Sequence, residues 1–104
     1  VPCRKLELGH TKITNAGLAH LKGLPNLKDL LLTGTKITDA GLVHLKDLTS
    51  LHFLALGGTK ISDEGLVHLK GLTRLHSLTL FATAVTDAGV ADLQMALPNC
   101  KILH

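Results

Sequence analysis

Leucine recurs along this chain on two alternating rhythms. Leu6 and Leu8, Leu30 and Leu32, Leu54 and Leu56, and Leu78 and Leu80 are each separated by one residue. That period of two predicts short strands with one face turned to a core. Further along, the apolar positions become Leu18, Leu21, Leu24; Leu42, Leu45, Leu48; and Leu66, Leu69, Leu72, which follow a helical face. The whole pattern returns under a shift of 24 residues, so that Leu30, Thr35, Ile37 and Gly41 fall on Leu54, Thr59, Ile61 and Gly65. Self-similarity at a fixed period of this size marks a solenoid. Four repeats are expected, near residues 3–26, 27–50, 51–74 and 75–99, with a C-terminal cap over 97–104. The strands should stack into one parallel sheet, and the helical halves should supply the crossovers that parallel strands need. The fold class is therefore α/β, a single domain over 1–104.

Between the leucines, other residue types stand in fixed columns. Thr11, Thr35, Thr59 and Thr83 close each strand, where a hydroxyl can satisfy backbone groups left open by the turn. Thr14, Thr38, Ser62 and Thr86 are N-cap candidates, followed by Asn15, Asp39, Asp63 and Asp87 in the first turn. Gly17, Gly41, Gly65 and Gly89 come next. Glycine there lowers helix propensity by about 1 kcal/mol relative to alanine, so its repetition implies a steric need. The expectation is close approach of the helix to the strand layer. Pro25 and Pro98 mark returns from helix to strand. The fourth helix is longer by one residue, which predicts a full α-helical turn followed by a truncated fifth strand from Cys100 to Leu103. No matching cap precedes Leu6 and Leu8, which leaves residues 1–10 as an open edge suited to self-association.

Composition fits thin, identical layers. There is no Trp or Tyr, and Phe53 and Phe81 are the only aromatics of the Phe, Trp and Tyr set among 104 residues. A stack needs one branched aliphatic side chain repeated in one slot. The net charge of +3 is compatible with an acidic partner without requiring one. No apolar run approaches the ~18 residues of a membrane span, and no membrane association is expected. Cys3 and Cys100 fall in the same core slot at opposite ends of the stack. At ~4.8 Å per layer they stand roughly 20 Å apart, too far for a disulfide. The chain opens at Val1 and is expected to be a piece of a longer protein.

The strand motif L-x-x-L-x-L-x-x-T, the helical stretch Ile37-Thr38-Asp39-Ala40-Gly41-Leu42 and the ending Leu97-Pro98-Asn99-Cys100-Lys101-Ile102 resemble the leucine-rich repeat family. The similarity is to its cysteine-containing subclass and the bacterial relatives, with Thr where the family more often carries Asn or Cys. It covers essentially the whole chain. The resemblance implies a right-handed solenoid of about four repeats, with a short parallel sheet on the concave side and helices on the convex side. It also implies a protein-interaction role and no particular partner.

The outward positions of the strands are Lys5, Glu7 and Gly9; Asp29, Leu31 and Thr33; Phe53, Ala55 and Gly57; and Ser77, Thr79 and Phe81. Leu31, Phe53, Ala55 and Phe81 form a candidate apolar patch rimmed by Glu7, Asp29, Ser77 and Thr79, the arrangement of a protein- or peptide-binding surface. The competing reading is that Phe81 merely covers Gly57 and Gly58. His20, His44 and His68 repeat at one helical position, but helices ~8–10 Å apart are too widely spaced for shared metal coordination, so no metal or cofactor is expected. Lys12, Lys36 and Lys60 interleave with the Asn15, Asp39 and Asp63 column, which favours mutual charge relief over nucleic-acid binding. No paired carboxylates, phosphate loop or nucleophile–base grouping falls outside the repeat positions, and no enzyme activity is expected.

Overall fold

The computed structural model describes residues 4–24 and 26–104. The chain runs β1 (Lys5–Glu7), α1 (Asn15–Leu18), β2 (Asp29–Leu31), α2 (Asp39–Leu42), β3 (Phe53–Ala55), α3 (Asp63–Leu66), β4 (Ser77–Thr79), α4 (Asp87–Ala96) and β5 (Lys101–Leu103). All strands are parallel and lie in chain order in one sheet. Leu6 pairs with Leu30, Leu30 with Leu54, Leu54 with Leu78, and Leu78 with Ile102. The 24-residue shift read from the leucines is thus the physical register of the first four strands. The fifth strand is as long as the others and not shortened as expected, because Ile102 continues the inward column and Lys101 and Leu103 the outward rows.

The helical halves differ from one another for a reason visible in the spacing. After one α-turn, the first three continue as 3₁₀ turns over Ala19–Gly23, Val43–Leu45 and Val67–Leu69. Leucines three apart suit three residues per turn, and Leu42, Leu45 and Leu48 are all buried. In the last repeat the buried residues are Val90, Leu93 and Leu97, spaced three and four. There the helix stays α for 10 residues. The inward side chains form one continuous core, with Leu30, Leu54 and Leu78 each 0 % exposed.

Each of the first four strands ends in a tight turn whose Thr hydroxyl donates to the carbonyl three residues back. Thr35 reaches Leu32 O at 2.7 Å, Thr59 reaches Leu56 O at 2.6 Å and Thr83 reaches Leu80 O at 2.8 Å. Thr35 and Thr59 are the buried polar residues of the core, so these bonds satisfy groups that would otherwise be costly to bury. The residue before each Thr lies in the left-handed region: His10 (φ 57°), Gly34 (φ 72°), Gly58 (φ 70°) and Ala82 (φ 56°). Glycine fills the two central turns and side-chain-bearing residues fill the outer two.

The acidic column does more than stabilise helix starts. Asp39 accepts from the Ser62 backbone N–H (2.7 Å) and hydroxyl (2.5 Å) of the following repeat. Asp63 does the same with Thr86, at 2.8 and 2.5 Å. Asn15 accepts the Thr38 N–H at 2.9 Å and donates its amide to the Thr38 hydroxyl at 2.7 Å. Thr38 and Ser62 make no side-chain cap within their own helices, whereas Thr86, bridged in the same way, also accepts from Gly89 N–H at 3.3 Å. These contacts, and not the lysines, occupy the acidic column.

The same bridge explains the glycines. A Cβ on Gly41, Gly65 or Gly89 would strike Asn15, Asp39 or Asp63 of the preceding repeat at well under 3.0 Å. The steric need is real, but what approaches is the neighbouring layer's side chain and not the strand layer. Cys100 is free and 4 % exposed, in the core slot expected for it. Burial pushes its thiol above the ordinary 9.0. Cys3 lies outside the described residues.

Two predictions follow from the bridge. Gly65→Ala should destabilise by about 1–3 kcal/mol through the displaced Asp39 bond, despite better helix propensity. Gly71→Ala meets nothing within 4 Å and should stay within ~0.5 kcal/mol of the parent. Urea melts compare them, and equal effects would show that the bridge is not what excludes the side chain. The second concerns acid. The Thr86 hydroxyl first, and its N–H second, hold the Asp63 carboxyl below its ordinary 3.8. Its folded pKa is depressed, so its stabilisation is present above pH ~4 and lost as pH falls through the folded value. Asp63→Asn can copy the Asn15 geometry without a titrating group. Melting temperatures between pH 5 and 2 should therefore fall less steeply for this variant, and an unchanged slope would count against the bridge.

Candidate functional site

Parallel register places the outward residues of the strands in rows that cross the stack. One row is Lys5, Asp29, Phe53, Ser77 and Lys101, and the next is Glu7, Leu31, Ala55, Thr79 and Leu103. A third follows from backbone bonds just beyond the strands. Thr33 O accepts from His10 N–H, Gly57 O from Gly34 N–H and Phe81 O from Gly58 N–H, each at 2.8 Å, which aligns Gly9, Thr33, Gly57 and Phe81. All the residues proposed from the sequence for a binding surface (Glu7, Asp29, Leu31, Phe53, Ala55, Thr79 and Phe81) therefore share one face.

They do not contribute equally. Phe81 is 52 % exposed, an unusual state for a large apolar ring unless something covers it. Its row is tightly packed at the backbone: a Cβ on Gly57 would sit 3.2 Å from Phe81 O. Leu31, Phe53 and Thr79 are half-buried, and Glu7 is exposed. Asp29 is half-buried, between Lys5 and Phe53 in its row. Ala55 is only 5 % exposed, because Leu31 and Thr79 flank its small side chain on the central strand. It forms floor more than contact surface.

The residue before each strand belongs to the same face's edge. Lys28 N–H donates to Arg4 O (2.8 Å), His52 N–H to Lys28 O (2.7 Å) and His76 N–H to His52 O (2.7 Å), so Arg4, Lys28, His52 and His76 stand in one column. The His52 and His76 rings meet edge to face with centroids 4.9 Å apart. At the opposite ends of the strands, Lys12, Lys36 and Lys60 are all exposed. A basic residue or His at the same offset before four successive strands was legible in the sequence, but only once the strand starts were fixed.

On the helical side, His20 is exposed and His44 and His68 half-buried. His44 Nδ1 is buried without a hydrogen-bond partner among the described residues. Among those residues no three His, Cys, Asp or Glu side chains are grouped to hold a metal. No helix among them is long and apolar enough to cross a membrane. A hollow of about 160 Å³ lies at the C-terminal end of the stack, lined by residues including Thr73, Leu97 and Cys100, away from the aligned face.

The family model described as Leucine Rich repeat matches residues 23–46 and 47–70. No curated protein matches the chain by sequence. Among solved structures, internalin C2 of Listeria monocytogenes is similar over 100 % of this chain and 41 % of its own, with 25 % identity and a TM-score of 0.71. A second internalin of Listeria monocytogenes is similar over 96 % of this chain and 34 % of its own (24 % identity, TM-score 0.61). A leucine-rich-repeat protein of Leptospira interrogans is similar over 95 % and 30 % (22 % identity, TM-score 0.60). The chain thus spans less than half the length of each.

Proposed function

Given that the chain is a leucine-rich-repeat solenoid of bacterial type, we propose that it is an interaction module holding a protein or peptide on the concave face of its sheet. The observation that carries this is the placement of Phe81, 52 % exposed on the aligned face, two strands-rows from Phe53. Both phenylalanines of the sequence are spent on one solvent-facing surface. Aromatic side chains of this kind dominate binding energy when a partner desolvates them. They stand on adjacent strands in different rows, so a ligand gripped by both runs obliquely, with Leu31 and the Ala55 floor between. Glu7 and Asp29 at the N-terminal end orient a basic group on the ligand, giving direction more than affinity.

A second reading draws support from the first strand. Leu6 and Leu8 are half-buried, whereas their counterparts Leu30 and Leu32 are 0 % exposed. Self-association through this edge would make the chain an assembly segment. Sedimentation at increasing concentration separates the readings, since only the second requires growth in mass.

The concave reading is tested on a partner captured from the source organism. Phe81→Ala should weaken binding by about 2 kcal/mol or more while leaving the fold intact, because the ring is largely outside the core. Lys46→Ala on the convex side should change nothing measurable. Titration calorimetry of both variants decides, and loss of binding with Lys46→Ala but not Phe81→Ala would move the function to the helices.

A further inference from the structure

The bridges between layers run one way, and the first layer holds only the receiving half of one. Thr38, Ser62 and Thr86 each offer an N–H and a hydroxyl to an acceptor from the layer before. Thr14 keeps the same extended backbone (φ −118°, ψ 176°, against −129° and −176° at Thr38). Among the described residues, however, neither its N–H nor its hydroxyl has a partner. Gly17 stands where Gly41, Gly65 and Gly89 stand, but a Cβ on it would meet only the Ile13 side chain of its own layer and no acceptor. Leu6, Leu8 and Ile13 are half-buried, whereas Leu30, Leu32 and Ile37 are 0 % exposed. The opposite end of the stack is finished differently, with residues from outside the repeat. Asp87, the last acceptor, meets His104 Nε2 at 2.8 Å, and Gln94 Nε2 donates to Leu97 O and Cys100 O at 2.8 Å each. The first layer has no such departure: Thr11 to Leu18 match Thr35 to Leu42 at every place but Asn15.

We infer that the N-terminal edge is the receiving face for a further layer of the same repeat, which lies ahead of Arg4 in the polypeptide and offers an Asp or Asn to Thr14. The concave reading plays no part in this, and the edge considered above for self-association takes a different occupant. That occupant must pair a strand with β1, cover Leu6 and Leu8, and set a two-point acceptor over Gly17 against the Thr14 N–H and hydroxyl. A second copy does not meet these conditions. In each bridge the acceptor follows one strand and the donor follows the next: Asp63 lies beyond β3 and Thr86 beyond β4. For Asp87, beyond β4, the next strand is β5. A copy arriving with its β1 finds that place filled and the acid held by His104. Two N-terminal edges set face to face bring donors to donors. A lone layer arriving from solution cannot bury its own apolar face, whereas a tethered one docks at high effective concentration. Docking also covers the open edge of β1, which is otherwise a template for unwanted pairing.

The natural reading frame upstream of Val1 is the first test. It should carry Leu one repeat before Leu6 and Leu8, and Asp or Asn one repeat before Asn15; a sequence without this pattern overturns the inference. The second test reads the contact itself. A copy of residues 27–50 is joined ahead of Cys3 in place of Val1 and Pro2, which sets a second Asp39 one repeat before Asn15. Urea midpoints followed by circular dichroism compare this extended chain with the parent, and the extended chain should have the higher midpoint. Thr14→Val should leave the parent within about 0.2 M of its midpoint. In the extended chain the same change should lower the midpoint by about 0.5–1 M. Asp→Ala at the added layer's acceptor should cost as much, and the two changes together no more than either alone. Equal loss from Thr14→Val in both chains, additive losses in the extended chain, or an extended chain no more stable than the parent would each overturn the inference. Sedimentation addresses the rival occupant. Growth in mass of residues 1–104 with concentration, abolished by Thr14→Val, would give the edge to a second copy and overturn the inference as well.

Discussion

The carboxylate of Asp39, closed on the backbone N–H and hydroxyl of Ser62, is the contact on which the helical side of this molecule depends. Leucines stacked in a core are interchangeable along the stack and define register loosely. A two-point hydrogen bond to an N-cap residue defines it tightly, because a charged acceptor between two donors tolerates little displacement. Three residue types follow from it at once. An Asn or Asp must stand at the first helical position, a Ser or Thr at the next repeat's N-cap, and a glycine where any side chain would collide with the incoming carboxylate. The bridge also supplies the following helix with a partner for an N-terminal N–H that no helix can satisfy internally.

The sheet side is held differently. Its register comes from parallel backbone pairing and from turns closed by Thr35, Thr59 and Thr83, and none of those groups is an outward side chain. Outward residues can therefore be large, small, charged or apolar without disturbing the stack. That freedom is what allows Asp29, Phe53 and Ser77 to occupy one row. The frame repeats while the outward surface varies from layer to layer.

Much of this was legible in the sequence because repetition displays each structural rule four times. Spacing of two and its return after 24 residues fixed strand order, register and the inward leucines. The 3₁₀ turns were also present, as leucines strictly three apart, but a helical stripe tolerates that spacing and the distinction is easily lost. The glycine column signalled crowding without naming its source, since nothing local to Gly65 indicates that Asp39 lies against it. Long-range contact was the missing information. The acidic column makes no direct ion pair with Lys12, Lys36 or Lys60 among the described residues, and proximity in sequence could not show that the acids turn along the stack. On the candidate face, sequence placed the residues together, but Ala55 could be recognised as floor only once its neighbours' bulk was known.

The Asp–hydroxyl bridge has a polarity. Each layer extends an acceptor in one direction and receives one from the other, like links that hook one way only. At the last layer the series closes on a residue of a different kind, with Asp87 meeting the His104 ring at 2.8 Å. Interactions of this sort reach one neighbour and no further, so the stack is in effect a one-dimensional chain of coupled units. A unit inserted or deleted whole brings or removes its own acceptor, donors and glycine, and the joint heals. The same operation shifts the outward rows by one place. Architecture of this kind lets duplication lengthen or re-space the outward surface in steps of one layer, with no compensating change required elsewhere in the molecule.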